Sequence, residues 1–570
     1  MRATAIVPAT AVAAALPPLL AYNLTPSATL FNQLLALGGW GLCLLVWPPL
    51  GRPGRSAGTA LAALALILLA ALAAVPLHGL PLSLALSSVA LLGAAALVLA
   101  AASGLDGAAA RTCWAAFCWA LLAAGLACLL ISLIQVFAPS LADGQLIARS
   151  GIPGRAVGNM RQPNHLASLL MWACIAAVWL ADAGRFGRAS ARLLPALLFG
   201  FVFAIVLSAS RTGMLGVILL ALWGLADRKL ARPTRWALMA TPLMLAISWG
   251  LMAFWASHSG HAFGAESRLS EGAGSPSRLA ILANTWALIG MHPWMGVGWG
   301  EFNLAWTMTP FPNRPTAFFD HCHNLPMQLL VELGLPLGGL VLLLLGGSLW
   351  QAFVRGRRAP GEEGVRLRCA FMIVFMIGLH SLLEYPLWYA YFLLPTAFAL
   401  GLCLRRAGPP AAAPARTWLP WTRPAGVLLL ASSAFALWDY LPVVAIYAPP
   451  AGAGPLESRI QRGQQGLLFT SQADYAAATS LGPGQAALEA ARRTAHNLID
   501  VRLMMAWARS LAATGDVDRA RYVVQRLREF RSAQAQQEWL DECEEPQAAG
   551  AARPFQCEPP SRDYRYQEMR

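Results

Sequence analysis

Asp320-His321-Cys322-His323-Asn324-Leu325-Pro326-Met327-Gln328 runs directly into the apolar stretch Leu329 to Gly339. The apolar character continues to about residue 353, far enough for a helix to cross a bilayer. Two histidines and two amides therefore stand where a polar loop meets a membrane span, a place where polar groups are costly and are kept for chemistry by default. Similar runs of roughly 17 to 25 apolar residues recur on either side of this one. We place spans near 5–21, 30–48, 57–77, 82–102, 113–137, 165–182, 193–209, 212–226, 236–256, 324–353, 369–384, 388–404 and 424–446. The expected fold is all-α, a polytopic membrane protein with about 13 transmembrane helices. The period-2 alternation of a membrane β-barrel is absent.

Composition agrees. The 570-residue chain is 57% hydrophobic and 12% charged, with a mean hydropathy of +0.53; soluble chains carry about twice that share of charge. A net charge of +14 raises nucleic acid as a partner, but the basic residues sit in short loops between spans, as topology signals do, and not along a phosphate-binding stripe. No nucleic-acid partner is expected. Met1 to Leu20 has an early arginine and an apolar run, yet Pro17-Pro18 and Asn23 fit a cleavage site poorly, so it reads as a retained first span.

Every second loop is rich in arginine. One side receives Arg2, Arg52 and Arg55, then Arg111, then Arg185, Arg188 and Arg192, then Arg228, Lys229, Arg232 and Arg235. It also receives the arginines between Arg355 and Arg368, and Arg405, Arg406, Arg416 and Arg423. That side is cytoplasmic. The opposite side takes the loop Arg149 to His165, the break Ser208 to Thr212, the long loop 257–323, the turn Glu384-Tyr385-Pro386 and everything after about 447. The chain thus divides into a membrane domain, 1–446, and a soluble helical domain, 447–570, joined by a Pro- and Gly-rich linker. In the tail, Leu503 to Phe530 reads as two helices joined at Thr514-Gly515-Asp516, with Trp507, Leu511, Ala520 and Val524 inward. A tetratricopeptide-like hairpin and a plain helical domain both fit. Cys543 and Cys557 are able to pair if the tail faces an oxidising compartment, a point the sequence leaves open.

The candidate chemistry lies on the outer side. His321 and His323 stand at the loop–helix junction, and a neutral imidazole there accepts a proton from a hydroxyl near neutral pH. Gln328 and Glu332, four apart, share a helical face. Zinc ligation by His-Cys-His, structural hydrogen bonding and a transporter's proton relay stay open as other readings. Gly158 to His165 supplies the fixed charge of Arg161 and the amides of Gln162 and Asn164; it reads as a polar helix cap or, with the histidine segment on the same side, as a binding site. Ser208 to Gly213 places Arg211 near the membrane surface, where it either meets an anion or snorkels to the headgroups. Arg278 opens an amphipathic helix through Leu288, while Arg268 reads as an ordinary surface charge. His292 to Gly300 is a tight loop and not a dinucleotide fingerprint, having no βαβ context. Tyr385, within His380 to Trp388, is either a hydrogen-bond donor at the site or part of an interfacial aromatic belt. Several guanidiniums beside a histidine suit a lipid diphosphate: the planar forks hold phosphate, and the histidine activates an incoming hydroxyl.

Gly158 to Ala167 (GNMRQPNHLA), Ser208 to Gly213 (SASRTG), Arg278 to Phe302, His321 to Gly338 (HCHNLPMQLLVELGLPLG) and His380 to Phe392 (HSLLEYPLWYAYF) resemble the bacterial O-oligosaccharyltransferases of the PglL/PilO type, within the O-antigen ligase and Wzy polymerase superfamily. The resemblance covers most of residues 20–450. It implies transfer of a preassembled glycan from undecaprenyl diphosphate to Ser or Thr hydroxyls of periplasmic or pilin-like acceptor proteins. It also implies a multi-pass protein of the bacterial inner membrane, embedded in membrane lipid, with its active site facing the periplasm. His323, with His321 second, is implied as catalytic; Arg161, Arg211 and Arg278 as donor diphosphate-binding; and Gln162, Asn164, Asn324 and Tyr385 as further polar site positions. Neither a cofactor nor a metal is implied. An O-antigen ligase acting on lipid A core, a repeat-unit polymerase and a lipid-linked glycan transporter remain the competing readings.

Overall fold

The structure is a computed structural model and describes residues 2–48, 53–260, 263–264, 276–406, 421–530, 534–544 and 553–570. Arg52, Arg268 and Arg416 lie outside the described residues. Every described regular element is a helix. In hydrocarbon a backbone has to satisfy its own N–H and C=O groups, and a helix does so within one segment. Among the described residues nine helices are long and apolar enough to cross a membrane, from Arg55–His78 to Thr422–Tyr447. The other sequence-predicted spans fall on the shorter apolar helices Ala5–Leu19, Leu30–Val46, Arg211–Ala226 and Ala390–Cys403. The molecule is an all-α polytopic membrane protein. The span expected at 236–256 is interrupted: Arg232–Met239 and Thr241–Ser259 meet at Ala240, where Pro242 lacks the N–H that would continue the first helix.

The chain packs as two compact units. The first comprises Met1–Leu64, Gly93–Ala273 and Leu343–Phe435; the second comprises Ala65–Leu92, Gly274–Leu342 and Ala436–Arg570. At the centre of the first unit stands Pro163–Asp182, with 89% of its apolar window buried. It packs against Gly107–Phe137, Ser190–Ser208 and Gly361–Ser381, which explains why it is apolar all round. Its Trp172 indole N–H donates to the Ile373 carbonyl at 2.9 Å, so this buried donor is satisfied. Trp40 and Phe117 each approach Phe398 to 5.1 Å between ring centroids. At the arginine-rich end, Arg368 pairs with Asp227 at 2.6 Å and Arg405 with Glu363 at 3.0 Å, so these charges enter the fold matched.

In the second unit, Pro276–Met291 and Phe302–Met308 from the long loop share a core with the tail, built on Trp306, Cys322, Leu503, Trp507 and Tyr522. The tail's expected hairpin is present as Val501–Ala513 and Val517–Leu527, with Trp507, Leu511, Ala520 and Val524 buried. Asp500 and Asp516 cap the two helices, accepting the Leu503 and Arg519 N–H at 2.8 and 3.3 Å, and Gly515 turns between them at φ 91°. The helices Leu456–Gln464, Thr470–Ser480 and Gln485–Ala495 precede this pair. Of these, Thr470–Ser480 is the hardest to read from sequence, because TSQADYAAATS carries little contrast between faces, whereas Leu456–Gln464 and Gln485–Ala495 are amphipathic. Two carboxylates tie the unit together. Asp439 accepts the Leu467 and Leu468 N–H, each at 2.8 Å. Fully buried Glu301 faces His496 Nδ1 at 2.7 Å and Arg570 at 3.3 Å.

Cys543 and Cys557 are disulfide-bonded, and the other eight cysteines are buried and free. Denatured without reductant, the purified protein should therefore take up eight alkyl groups by intact mass, and ten after reduction. Ten at the first step would remove the disulfide.

Candidate functional site

The histidine segment belongs to the second unit and leads into Leu325–Arg358. Asn324 caps that helix: its Oδ1 accepts the Met327 N–H at 3.1 Å, and Pro326 fills an early position where a missing N–H costs nothing. The expected Gln328–Glu332 pair forms, with Gln328 Nε2 donating to Glu332 Oε1 at 3.0 Å. Gln328 Oε1 also accepts the Cys322 N–H at 2.9 Å, and the Cys322 thiol donates to the Asn324 carbonyl at 3.2 Å. Buried Cys322 is thus stitched to the helix mouth, with half-buried His321 and His323 on either side. His321 Nδ1 stands 3.2 Å from Asp320 Oδ1. Partial burial pushes the Asp320 carboxyl up, but the hydrogen bond from His321 and the charges of both histidines outweigh it and hold Asp320 below the usual carboxylate range. His323 adopts φ 57°, and its ring meets Phe319 edge-on at 5.4 Å.

The span expected to run unbroken through 324–353 is broken at Gly334 (φ 76°, ψ 170°). Its carbonyls are satisfied by the tight glycine loop. Val297 donates to the Val331 carbonyl at 2.8 Å and Gly298 to that of Glu332 at 3.1 Å, while Leu335 N–H bonds to Pro293 at 2.7 Å. A Cβ on Gly334 would lie 2.4 Å from the Trp294 oxygen, and one on Gly296 would lie 2.5 Å from the Glu332 carbonyl. The two glycines let the backbones touch; irregular backbone at membrane depth is tolerated where protein covers it. Arg278, half-buried, sits in the first turn of Pro276–Met291 in this same unit.

Arg161, Gln162, Asn164, Arg211 and Tyr385 belong to the first unit. Gln162 Oε1 caps Pro163–Asp182 by accepting the His165 N–H at 2.9 Å. Asn164 joins three chain stretches: its Nδ2 donates to Glu384 Oε1 at 3.1 Å, and its Oδ1 accepts the Ser210 hydroxyl at 2.6 Å. Ser210 Oγ in turn accepts the Gly213 N–H at 3.0 Å, capping Arg211–Ala226 and placing Arg211 at its first position. Tyr385 follows Glu384 and stacks on Tyr389, centroids 6.3 Å apart. Arg161 donates to the carbonyls of Ala28 and Ala21 at 3.2 and 2.6 Å, and burial lowers the basicity of its guanidinium. A guanidinium carries five donors, so these bonds leave capacity for an anion. His165 sits within the core, its Nδ1 3.0 Å from the Tyr391 hydroxyl, and His380 Nδ1 is 2.7 Å from Ser168 Oγ. Ser210 and Glu384 were given no role from sequence, although both lie inside stretches singled out there. The available signal was an acidic residue held at an apolar boundary, which is expensive without a partner.

Among the described residues only Arg161 (φ 55°), Ala209 (φ 53°) and His323 (φ 57°) take left-handed backbone without being glycine. Each such residue costs about 1–3 kcal/mol and persists where its surroundings impose it, most often at functional sites. All three fall in the motif stretches, two on candidate residues and one beside Arg211. Among the described residues no three His, Cys, Asp or Glu side chains are grouped to hold a metal ion.

Three family models match the chain. A "Protein glycosylation ligase" model covers residues 156–181, an "O-Antigen ligase" model covers 196–344, and the C-terminal part of a "Virulence factor membrane-bound polymerase" model covers 369–542. Two curated relatives come from Acinetobacter baylyi. A general O-oligosaccharyltransferase is 28% identical over 257 residues, 44% of this chain and 43% of its own length. A ComP-specific O-oligosaccharyltransferase is 26% identical over 263 residues, 44% of each chain. The matched stretch thus spans less than half the length of either relative.

Left-handed backbone at His323 separates strain from chemistry. His323→Gly and His323→Asn should melt higher than His323→Ala, by on the order of 1 kcal/mol of stability, because glycine and asparagine tolerate that conformation. Thermal unfolding of the three variants in one detergent tests this, and a more stable alanine variant would contradict the backbone geometry.

Proposed function

We propose that this protein, which belongs to the Wzy/O-antigen ligase–PglL family of bacterial O-oligosaccharyltransferases, transfers a preassembled glycan en bloc from undecaprenyl diphosphate to Ser or Thr hydroxyls of periplasmic or pilin proteins. The acceptor oxygen attacks the anomeric carbon of the lipid-linked sugar. The bond from that carbon to the diphosphate breaks, and its electron pair leaves with the diphosphate. The hydroxyl proton passes to an imidazole, that of His323 on this reading, with His321, oriented by Asp320, as the second candidate. Arg161, Arg211 and Arg278 hold the diphosphate, where planar forks stabilise the charge that develops on leaving. Gln162, Asn164, Asn324 and Tyr385 are the further polar positions of the site; Asn324 and Gln162 contribute by capping the helices that directly follow His323 and Arg161.

The observation that carries the reading is the coincidence of left-handed backbone with the family's motif positions at Arg161 and His323. Two features support an outer-facing site in the inner membrane. The arginine-rich loops lie on the other side of the alternating span pattern, and the Cys543–Cys557 disulfide fits an oxidising compartment such as the periplasm. On the same reading the shorter apolar helices complete about 13 spans, with a membrane domain over 1–446 and a periplasmic domain over 447–570 whose paired helices are tetratricopeptide-like. A second reading, transfer to lipid A core, is favoured by the "O-Antigen ligase" match, which covers Arg211, Arg278 and both histidines.

Purified protein with undecaprenyl-diphosphate glycan and a pilin-like acceptor should add one glycan mass to a Ser or Thr. His323→Ala should reduce turnover by about 10²–10⁴-fold while leaving insertion intact. Arg211→Lys should lose about tenfold at limiting donor, because a point charge does not replace the fork. Glycan found on lipid A core and not on protein would make the second reading correct, and wild-type turnover in His323→Ala would move the base to His321 or discard it.

A further inference from the structure

Residues 309–324 contain no helix, yet they deliver His323 in a conformation that its own sequence disfavours. A segment this long keeps one path only if something outside it dictates the path. In the second unit that role falls to residues just after Val517–Leu527. The Arg314 side chain is 2% exposed, and its Nε lies 2.7 Å from Glu529 Oε2. Its Nη2 donates to the Trp306 carbonyl at 2.8 Å and also to that of Thr309. The guanidinium stands 4.6 Å from the Trp306 ring centroid, 5.0 Å from Phe530 and 5.3 Å from Phe311. A buried cation is stable there because a carboxylate, two carbonyls and three aromatic rings replace its water. Glu529 is braced from its other oxygen by Arg526 at 2.8 Å.

A ring relay runs alongside this ion pair. Phe530 stacks flat on Phe318, centroids 4.0 Å apart at 7°. The neighbouring Phe319 meets Trp306 at 5.8 Å and the His323 ring at 5.4 Å, both edge-on. The Tyr522 hydroxyl donates to the Met308 carbonyl at 2.6 Å and pins the start of the segment. We propose that Glu529 and Phe530 of the C-terminal helical region are positioning residues for His323, acting through Arg314 and Phe318. None of the four touches the reacting atoms, and the catalytic meaning of the inference rests on the transfer reading above. The tail is on this account part of the machinery that aims the imidazole.

The test uses full-length protein and three variants. Phe530→Leu keeps apolar volume and loses the stack, Phe530→Tyr keeps the stack, and Arg314→Lys keeps the charge and loses the fork. Two quantities are read: amide hydrogen exchange across 309–324, and kcat and KM for glycan transfer. In Phe530→Leu and Arg314→Lys, exchange across 309–324 should accelerate by about tenfold or more, with peptides of Val501–Ala513 still protected. In the same variants kcat should fall about tenfold with donor KM nearly unchanged, since a misaimed group costs rate more than binding. Phe530→Tyr should match wild type in both readings. Unchanged exchange across 309–324 in Phe530→Leu overturns the proposal, and so does faster exchange with undiminished kcat. If wild-type protein transfers nothing to any acceptor, the transfer reading falls, while the exchange comparison still decides whether these residues hold the segment.

Discussion

A backbone in hydrocarbon has no water to bond, so each N–H and C=O along it needs a partner within the protein. The structure follows from that constraint. Spans are helices, and where a helix breaks, another part of the protein takes up released groups. The break at Gly334 shows the cost and its solution: two glycines let the 293–298 loop reach the carbonyls of Val331 and Glu332. The consequence is a corner just beyond the histidine segment that is held by main-chain hydrogen bonds.

The same constraint acts at helix mouths, where the first N–H groups lack intrahelical partners. Asn324, Gln162 and Ser210 each cap a helix with a side-chain oxygen. The cap residues are also motif residues, and each lies close in sequence to a candidate catalytic or anion-binding group. Capping and chemistry are therefore not rival explanations of these polar stretches. A cap fixes the first turn, and the adjoining residue is then held in backbone it would otherwise avoid, as at His323 and Arg161.

Buried charge is handled by pairing. Arg314 and Glu301 are both taken out of water, and each is met by an opposite charge, with carbonyls and rings around Arg314 and a second cation beside Glu301. Such groups add little net stability, since desolvation offsets attraction, but removing one partner strands the other. They make the arrangement of the tail against the long loop specific, which is what a strained histidine segment requires. The disulfide between Cys543 and Cys557 closes the far end of that same tail.

Much of this was legible in the sequence because membrane spans are written in composition over some twenty residues, and because polar groups at their ends stand out against apolar runs. The all-α class, the position of nearly every long helix, the loop–helix junction at the two histidines and the Gln328–Glu332 face all follow from such local patterns. What they could not contain was any relation between distant stretches. That Asn164 bonds both Ser210 and Glu384, and that Arg314 is matched by Glu529, are statements about residues tens to hundreds of positions apart. The alanine-rich tail helix Thr470–Ser480 was hard to read for a related reason, since its faces differ too little until neighbours cover one of them. Local sequence determined where polar chemistry meets the membrane; tertiary packing decided which backbone conformations those residues hold, because only contacts from elsewhere in the chain make a left-handed histidine stable.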